Sequence, residues 1–162
     1  MEKEELRVLI LSAGKIDNEL VKIFGEIPSG LIPLNGKPVI FRIIDKLLDE
    51  GFGKITITVG YKKEILEQIV REQYKNQCDL EFISTDFKKP PGNSIKTATN
   101  YFDEEKLLII LGDTLIENNL IDLVNKGRNF VITSQEFSHT KNWCVVTKSE
   151  NKIDEIFDKE EL

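Results

Sequence analysis

The segment Val8-Leu9-Ile10-Leu11-Ser12-Ala13-Gly14 joins a continuous apolar run to a loop of small residues. An apolar run without alternation is typical of a strand that is buried on both faces of a parallel sheet. Similar runs occupy residues 55–59, 107–111 and 130–133. The four runs together predict a mostly parallel sheet.

Amphipathic helical patterns separate these runs. Apolar residues recur at spacings of three and four over residues 40–48, 65–70 and 95–102, and a shorter pattern spans 118–124. Gly51 is expected to end the first of these helices. The alternation predicts a Rossmann-like α/β fold, a three-layer α/β/α sandwich around a mostly parallel mixed sheet. Ligands of such folds bind beyond the carboxyl ends of the strands, where the loops after Leu11 and Leu111 are expected to meet.

Composition limits the class of partner. The 162 residues include 22 basic and 28 acidic side chains, and the net charge of -6 disfavours nucleic acid and favours a small molecule. Cys78, Cys144 and the single histidine, His139, do not form a metal-binding pattern. No apolar stretch approaches the roughly 18 residues that cross a bilayer. We therefore expect a cytoplasmic protein that is neither secreted nor membrane-bound.

A loop in the first third of the chain carries a family resemblance. Pro33-Leu34-Asn35-Gly36-Lys37-Pro38-Val39-Ile40 resembles the Pro-x-x-Gly-Lys-Pro loop of nucleotidyltransferases that make nucleotide-activated sugars and alcohols. Ser12-Ala13-Gly14, Val59-Gly60-Tyr61 and Leu111-Gly112-Asp113 are similar to further motifs of that family, and the similarity covers roughly residues 7–160. It implies a nucleotide-diphospho-sugar transferase fold of the GT-A-like type. We expect one domain over residues 1–162, which is either a minimal member or the N-terminal part of a longer protein.

The resemblance also implies an activity. Such an enzyme couples a nucleoside triphosphate to a sugar 1-phosphate or a small phosphorylated alcohol and releases pyrophosphate, in nucleotide-sugar and polysaccharide biosynthesis. Because both reactants are anions, cations and amide donors must offset their charge. Magnesium, bound by Asp113 and phosphate oxygens, is the implied cofactor. Nucleic acid and membranes are not expected partners, and the number of subunits stays open, a homo-oligomer included.

The resemblance assigns nucleotide binding to eight positions. They are Leu11, Ser12, Ala13, Gly14, Ser29, Gly92, Asn93 and Gly112. The assignment is weakest at Gly92-Asn93-Ser94, because Asn93 and Ser94 also suit an ordinary helix N-cap. The acidic run Asp103-Glu104-Glu105 is most simply a solvated connection, and Lys37 most simply starts a helix with a solvated side chain.

Two cations of the family are missing. The family places an arginine in the loop after the first strand and a lysine directly after the proline that aligns with Pro28. Here no arginine lies between Arg7 and Arg42, and Ser29 follows Pro28. Lysine can replace a point charge, although it lacks the bidentate geometry of arginine. Lys15 and Lys22 are therefore the candidate catalytic cations.

Two other functions stay open. The first is a nucleotide-binding or regulatory domain that has lost catalysis together with the two cations. The second is a glycosyltransferase of the same fold, which is disfavoured because Gly112-Asp113-Thr114 lacks the second aspartate of an Asp-x-Asp motif. Pyrophosphate release separates the nucleotidyltransferase from both.

Overall fold

The computed structural model describes residues 6–104, 106–126, 131–133, 144–150 and 152–158, so His139 lies outside the described residues. The chain divides into two compact units, residues 1–126 and 127–162. One domain over residues 1–162 stays a prediction. In the described residues, no helix is both long and apolar enough to cross a bilayer.

The first unit contains the strands and helices that correspond to most of the sequence pattern. In chain order they are β1 (Leu6–Leu11), α1 (Asn18–Phe24), a 3-10 turn (Ser29–Leu31), β2 (Pro33–Leu34), β3 (Lys37–Pro38), α2 (Val39–Asp49), β4 (Lys54–Val59), α3 (Lys63–Tyr74), β5 (Asp79–Ser84), α4 (Pro91–Thr99), β6 (Lys106–Leu111) and α5 (Leu120–Asn125). The described part of the second unit forms an antiparallel hairpin of β7 (Cys144–Ser149) and β8 (Lys152–Asp158).

Four strands of the first unit form a parallel sheet in the order β5-β4-β1-β6. The register aligns the strand ends, because Leu11 pairs with Thr58 of β4 on one side and with Leu111 of β6 on the other. The α/β prediction is confirmed. Antiparallel pairing in the first unit, as far as the structure describes it, consists of the short β2–β3 pair and an isolated bridge between Lys15 and Pro28.

The sheet is covered on both faces, which makes the three layers. Alternate residues of β1, such as Val8 and Ile10, enter a large apolar core with α2, α3 and α5. Leu9 points the other way and packs with Ile83 and with Ala98 of α4 in a smaller core. Since successive side chains of a strand alternate between faces, the four residues from Val8 to Leu11 are all apolar, and Arg7 before them is the exception in β1.

Two strand predictions need correction. The fourth strand of the sheet is β5 (Asp79–Ser84) rather than residues 130–133. Residues 131–133 have no regular structure, and residue 130 lies outside the described residues. The sequence of β5 did not match a buried strand because Asp79 and Glu81 are exposed at the edge of the sheet, where polar side chains reach solvent.

The helix predictions hold with small changes of boundary. The structure has α2, α3, α4 and α5 where the patterns indicate them, and Gly51 follows α2 with a φ of 81° that favours glycine. The α1 helix was not predicted, because none of its residues is buried. Asp17 caps this helix by accepting a hydrogen bond from the Glu19 amide at 2.8 Å.

A charged network lies at the amino ends of the strands. Arg7 is buried and donates to Thr56 Oγ1 at 3.1 Å, to Glu81 Oε2 at 2.9 Å and to Glu104 Oε1 at 2.9 Å. Its guanidinium also lies 5.3 Å from the ring centre of Phe102. The interpretation of residues 103–105 as a solvated connection is therefore wrong at Glu104, because a buried guanidinium needs carboxylate partners.

Candidate functional site

Backbone hydrogen bonds join the ends of β1, β4 and β6 at one edge of the sheet. The Gly112 amide donates to the Leu11 carbonyl at 2.8 Å, and the Ser12 amide donates to the Thr58 carbonyl at 3.1 Å. The loops that follow β1 and β6 therefore lie side by side. This is the meeting of strand ends that the parallel arrangement predicts.

Ser12 packs between two glycines that leave no room for a side chain. A β-carbon on Gly112 would lie 2.7 Å from Ser12 Cβ, and one on Gly30 would lie 2.6 Å from Ser12 Oγ. The Ser12 hydroxyl is buried, and no residue that the structure describes hydrogen-bonds to it. An unpaired buried hydroxyl is a place where a water or a ligand group is expected to bind.

Gly14 differs from these glycines because the fold has room for a side chain at this position. Its φ lies outside the left-handed region, and a β-carbon there would meet only Ser29 Oγ, at 3.8 Å. Gly14 is exposed, and within the described ranges nothing accepts a hydrogen bond from the amides of Ala13 and Gly14. Unpaired amides beside an exposed residue without a side chain allow a phosphate, ribose or base to approach the backbone closely.

The segment after Pro28 packs against this loop. The Ser29 amide donates to the Gly14 carbonyl at 3.2 Å, and Lys15 forms an isolated antiparallel bridge with Pro28. Ser29 is half-buried and begins the 3-10 turn. The residue that replaces the family lysine is therefore directly beside Gly14.

The three lysines of this region have different surroundings. Lys15 and Lys22 are exposed, and neither forms an ion pair with another described residue. Lys22 lies in the last turn of α1, and the described contacts do not tie it to the loops at the strand ends. Lys37 instead forms an ion pair with Asp45, whose other oxygen accepts the Tyr74 hydroxyl at 2.7 Å. The solvated side chain expected for Lys37 is thus paired, although it remains partly exposed.

Sequence reasoning missed a fourth lysine, Lys62, which follows the Gly60-Tyr61 turn after β4. The Tyr61 amide donates to the Ala13 carbonyl at 2.9 Å, so this turn contacts the Gly14 loop. Lys62 adopts a φ of 45° and donates from Nζ to the Glu26 carbonyl at 2.8 Å. The available signal was the turn motif itself, which indicated the position of Lys62 without its partner.

Gly92 and Asn93 lie in the first turn of α4, not before it. The helix begins at Pro91 with Pro90 in the capping position, so the N-cap interpretation of Asn93 and Ser94 is wrong. Ser94 is buried, and its hydroxyl lies 3.0 Å from the Thr85 hydroxyl. Thr85 directly follows β5, and this contact places the start of α4 at the carboxyl edge of the sheet.

Asp113 is exposed directly after β6, and its carboxylate accepts a long hydrogen bond of 3.5 Å from the Thr114 hydroxyl. The described residues contain no group of three or more side chains that could bind a metal ion together. Magnesium usually binds one or two protein carboxylates and completes its shell with phosphate oxygens and water. A single exposed carboxylate therefore fits a metal that binds together with a triphosphate.

Unpaired loop amides, an exposed carboxylate and nearby lysines, all at the carboxyl edge of a parallel sheet, are the features expected of a nucleotide-binding α/β domain. Comparison with known proteins makes the class specific. A family model described as a MobA-like NTP transferase domain matches residues 8–152. The chain belongs to this family of nucleotidyltransferase domains.

Relatives and solved structures agree with this assignment. The chain is 27% identical over 163 residues to the UTP–glucose-1-phosphate uridylyltransferase AglF of Haloferax volcanii, covering 96% of this chain and 66% of that protein. It is 32% identical over 154 residues to the bifunctional protein GlmU of Methanocaldococcus jannaschii, covering 94% of this chain and 36% of GlmU. The chain thus spans two thirds or less of the length of these relatives.

A solved structure supports the fold. The crystal structure of HddC from Yersinia pseudotuberculosis, complexed with GMP-PN, superposes with a TM-score of 0.72 at 23% identity. The superposition covers 94% of this chain and 69% of HddC. The nucleotide-diphospho-sugar transferase type of fold, predicted from the sequence, is confirmed.

Proposed function

We propose that the chain is a nucleotidyltransferase domain that couples a nucleoside triphosphate to a sugar 1-phosphate or a small phosphorylated alcohol. The observation that carries the proposal is the hydrogen bond from the Gly112 amide to the Leu11 carbonyl. It brings the unpaired amides of Ala13 and Gly14 and the exposed carboxylate of Asp113 to one edge of the sheet. Family membership supports the class of reaction. The base and the acceptor are left open.

The chemistry proposed for this edge is a transfer at the α-phosphorus. A phosphate oxygen of the acceptor attacks the α-phosphorus of the triphosphate, the bond to the bridging oxygen breaks, and pyrophosphate leaves. The loop Ser12-Ala13-Gly14, with Leu11, Ser29 and Gly112 around it, holds the base and ribose in our proposal. Gly92 and Asn93 contact the nucleotide from the start of α4. Lys15 and Lys22 offset the charge of the phosphates as the reactants approach each other.

Asp113 is the residue that would hold magnesium. When bound, the ion would neutralise charge on the triphosphate and on the leaving pyrophosphate.

We further propose that the nucleotide-activated product serves polysaccharide assembly. A reducing cytoplasm suits the free thiols of Cys78 and Cys144.

The test is a pyrophosphate-release assay on the longest natural form of the chain. The protein is mixed with magnesium, each nucleoside triphosphate in turn, and a panel of sugar 1-phosphates that also includes phosphocholine. We expect pyrophosphate release for one pairing of base and acceptor. Tight nucleotide binding without release across the whole panel would contradict the proposal.

One observation favours a second candidate, a nucleotide-binding domain without catalysis. Ser29 lies beside Gly14, at the place where the family lysine is expected to reach the phosphates. Such a domain would bind nucleotide without releasing pyrophosphate. A glycosyltransferase would instead release a nucleoside diphosphate from a nucleotide-sugar donor, and the same samples can be assayed for it.

A further inference from the structure

Lys62 lies in the turn that contacts the Gly14 loop, and its ammonium is paired with a carboxylate of the chain itself, that of Glu26. Lys62 Nζ lies 2.8 Å from the Glu26 carbonyl and 3.3 Å from Glu26 Oε2. The ammonium also lies 5.6 Å from the centre of the Tyr61 ring. Two residues that are 36 positions apart in the chain are thereby joined at the surface.

The backbone around this pair is tied to the proposed nucleotide site. The Tyr61 amide donates to the Ala13 carbonyl, which fixes the start of Lys62 next to the loop after β1. On the other side, Lys15 bridges to Pro28, two residues after Glu26. Lys62 and Glu26 therefore belong to two segments that both contact the Gly14 loop.

Positively charged and hydrogen-bonding side chains surround the Glu26 carboxylate and stabilise its negative charge. The pKa of the Glu26 carboxyl lies below its usual value. The largest cause is the hydrogen bond from the Lys62 ammonium, and smaller ones are a hydrogen bond from the Tyr61 hydroxyl and the charges of Lys62 and Lys15. Glu26 is 65% exposed at its side chain, so solvent competes for the same contacts. A stronger anion can therefore replace this carboxylate without unfolding its surroundings.

We propose that Lys62 is a phosphate-binding residue for the triphosphate, and that the Glu26 carboxylate occupies its ammonium until the phosphates replace it. This inference rests on the proposed function, and it deepens that function by naming a cation other than Lys15 and Lys22. Lysine binds phosphate well as a point charge. A triphosphate carries several negative charges against one for Glu26, and so the exchange favours the nucleotide.

In this proposal, the Lys62 ammonium supplies the positive charge for the phosphates that the family lysine would supply at position 29. Lys62 follows Tyr61, whose amide contacts the same loop at Ala13, whereas the family lysine would reach the loop from the segment after Pro28. The hydrogen bond from Lys62 to the Glu26 backbone carbonyl can persist when the carboxylate leaves, because the ammonium has three donors. The ammonium thus remains anchored while it changes its anionic partner.

The experiment measures the binding of inorganic tripolyphosphate by calorimetry, using the full chain and four variants. These are K62Q, E26Q, the double variant K62Q/E26Q, and K63Q as the matched control. Lys63 is the neighbouring lysine, and it hydrogen-bonds to Ser84 Oγ at 3.2 Å instead of facing Glu26. Far-UV circular dichroism of each variant verifies that the fold is retained.

We expect K62Q to weaken tripolyphosphate binding about tenfold, as for the loss of one charged hydrogen bond. E26Q should tighten binding by about two- to fivefold, since the competing carboxylate is removed from an exposed pair. The gain from E26Q should disappear in the K62Q background, and K63Q should bind like the unaltered chain. Unchanged affinity in K62Q, weaker binding in E26Q, or equal gains from E26Q in both backgrounds would each overturn the inference.

The outcomes separate this inference from the proposed function. Pyrophosphate release by the natural chain, together with unaltered tripolyphosphate binding in K62Q, would keep the function and remove the role of Lys62. The expected pattern of affinities without pyrophosphate release for any substrate pair would keep the exchange and remove the reaction.

Discussion

Individual glycines in this chain serve different physical purposes, although they look alike in the sequence. Gly30 and Gly112 are required by packing, because a β-carbon at either position would approach Ser12 to less than 3 Å. Gly14 has space for a β-carbon and an ordinary φ, so the fold does not require a glycine there. The sequence predicted where these residues lie, but the contacts that separate their purposes are between distant segments and cannot be derived from spacing.

Gly112→Ala should lower the free energy of unfolding by about 1–3 kcal/mol, because the added carbon is forced against Ser12 Cβ and the Leu11 carbonyl. Urea denaturation measures the change. Gly14→Ala is the matched control, and it should alter stability by less than about 1 kcal/mol. The same control variant should bind nucleotide more weakly, since its methyl group lies over the exposed amides. Equal stability loss in both variants would contradict the distinction.

Asp113→Asn should abolish the part of nucleotide affinity that depends on magnesium. The amide removes the negative charge while keeping the size of the side chain, and magnesium prefers anionic oxygen ligands. Nucleotide titrations with magnesium and with a chelator measure the two parts separately. Affinity in the chelator should match that of the unaltered chain. A magnesium effect of unchanged size in the variant would show that Asp113 is only a turn residue after β6.

At the scale of strands and helices, the sequence predicts the elements that have an apolar pattern and misses those that lack one. β1 and β4 lie inside the sheet and are apolar runs, and β6 is also an apolar run although it lies at one edge, whereas β5 at the other edge exposes Asp79 and Glu81. The same reason explains why α2 and α3 were predicted and α1, which buries none of its residues, was not. Element type was therefore predictable wherever burial imposed a period on the chain.

The Arg7 network is an element-scale contact whose contribution to stability depends on pH. Chiefly through a hydrogen bond, Arg7 holds the pKa of the Glu104 carboxyl below its usual value. A lowered pKa in the folded state means that the stabilisation is present above the unfolded value, near 4.5, and is lost as pH falls. Glu104→Gln should therefore cost about 2 kcal/mol at pH 7, because Arg7 loses a charged partner.

The difference between the unaltered chain and Glu104→Gln should shrink as pH falls below about 4.5 in urea denaturation series, because the unfolded chain binds a proton at Glu104 there and the folded chain binds it only at lower pH. Glu64→Gln is the control, because Glu64 is exposed in the first turn of α3 and forms no ion pair with a described residue. It should change stability little at either pH. A stability difference for Glu104→Gln that stays constant from pH 7 to pH 3 would contradict the assignment.

At the scale of the whole molecule, fold and reaction are determined by different parts of the chain. The fold follows from apolar residues spread over the strands and helices, and the family match over residues 8–152 agrees with it. The reaction that we propose depends on a few side chains at one edge, where Ser29 departs from the family pattern. The general location of the site was predictable because parallel strands end together, while the pairing of Lys62 with Glu26 depended on tertiary contacts.

Ser29→Lys tests which function the molecule as a whole retains. The added ammonium would extend from beside Gly14 toward the place proposed for the phosphates. For an enzyme that already turns over, we expect a change in pyrophosphate release of less than about threefold, because other lysines supply the charge. For a domain that has lost catalysis, release should appear only in the variant. Ser29→Gln has a similar length without the charge and serves as the control.

The two ends of β1 carry different features, a charged network at one end and the Gly14 loop at the other. Arg7 and its carboxylate partners anchor the amino end of the sheet, and Ser12-Ala13-Gly14 follows the other end. Six extended residues place these ends about 20 Å apart. Substitutions that adapt the loops to another base or acceptor are therefore remote from the anchor and should leave it intact. Such a frame can diversify in substrate preference without a matching loss of thermal tolerance, which makes it an evolvable scaffold.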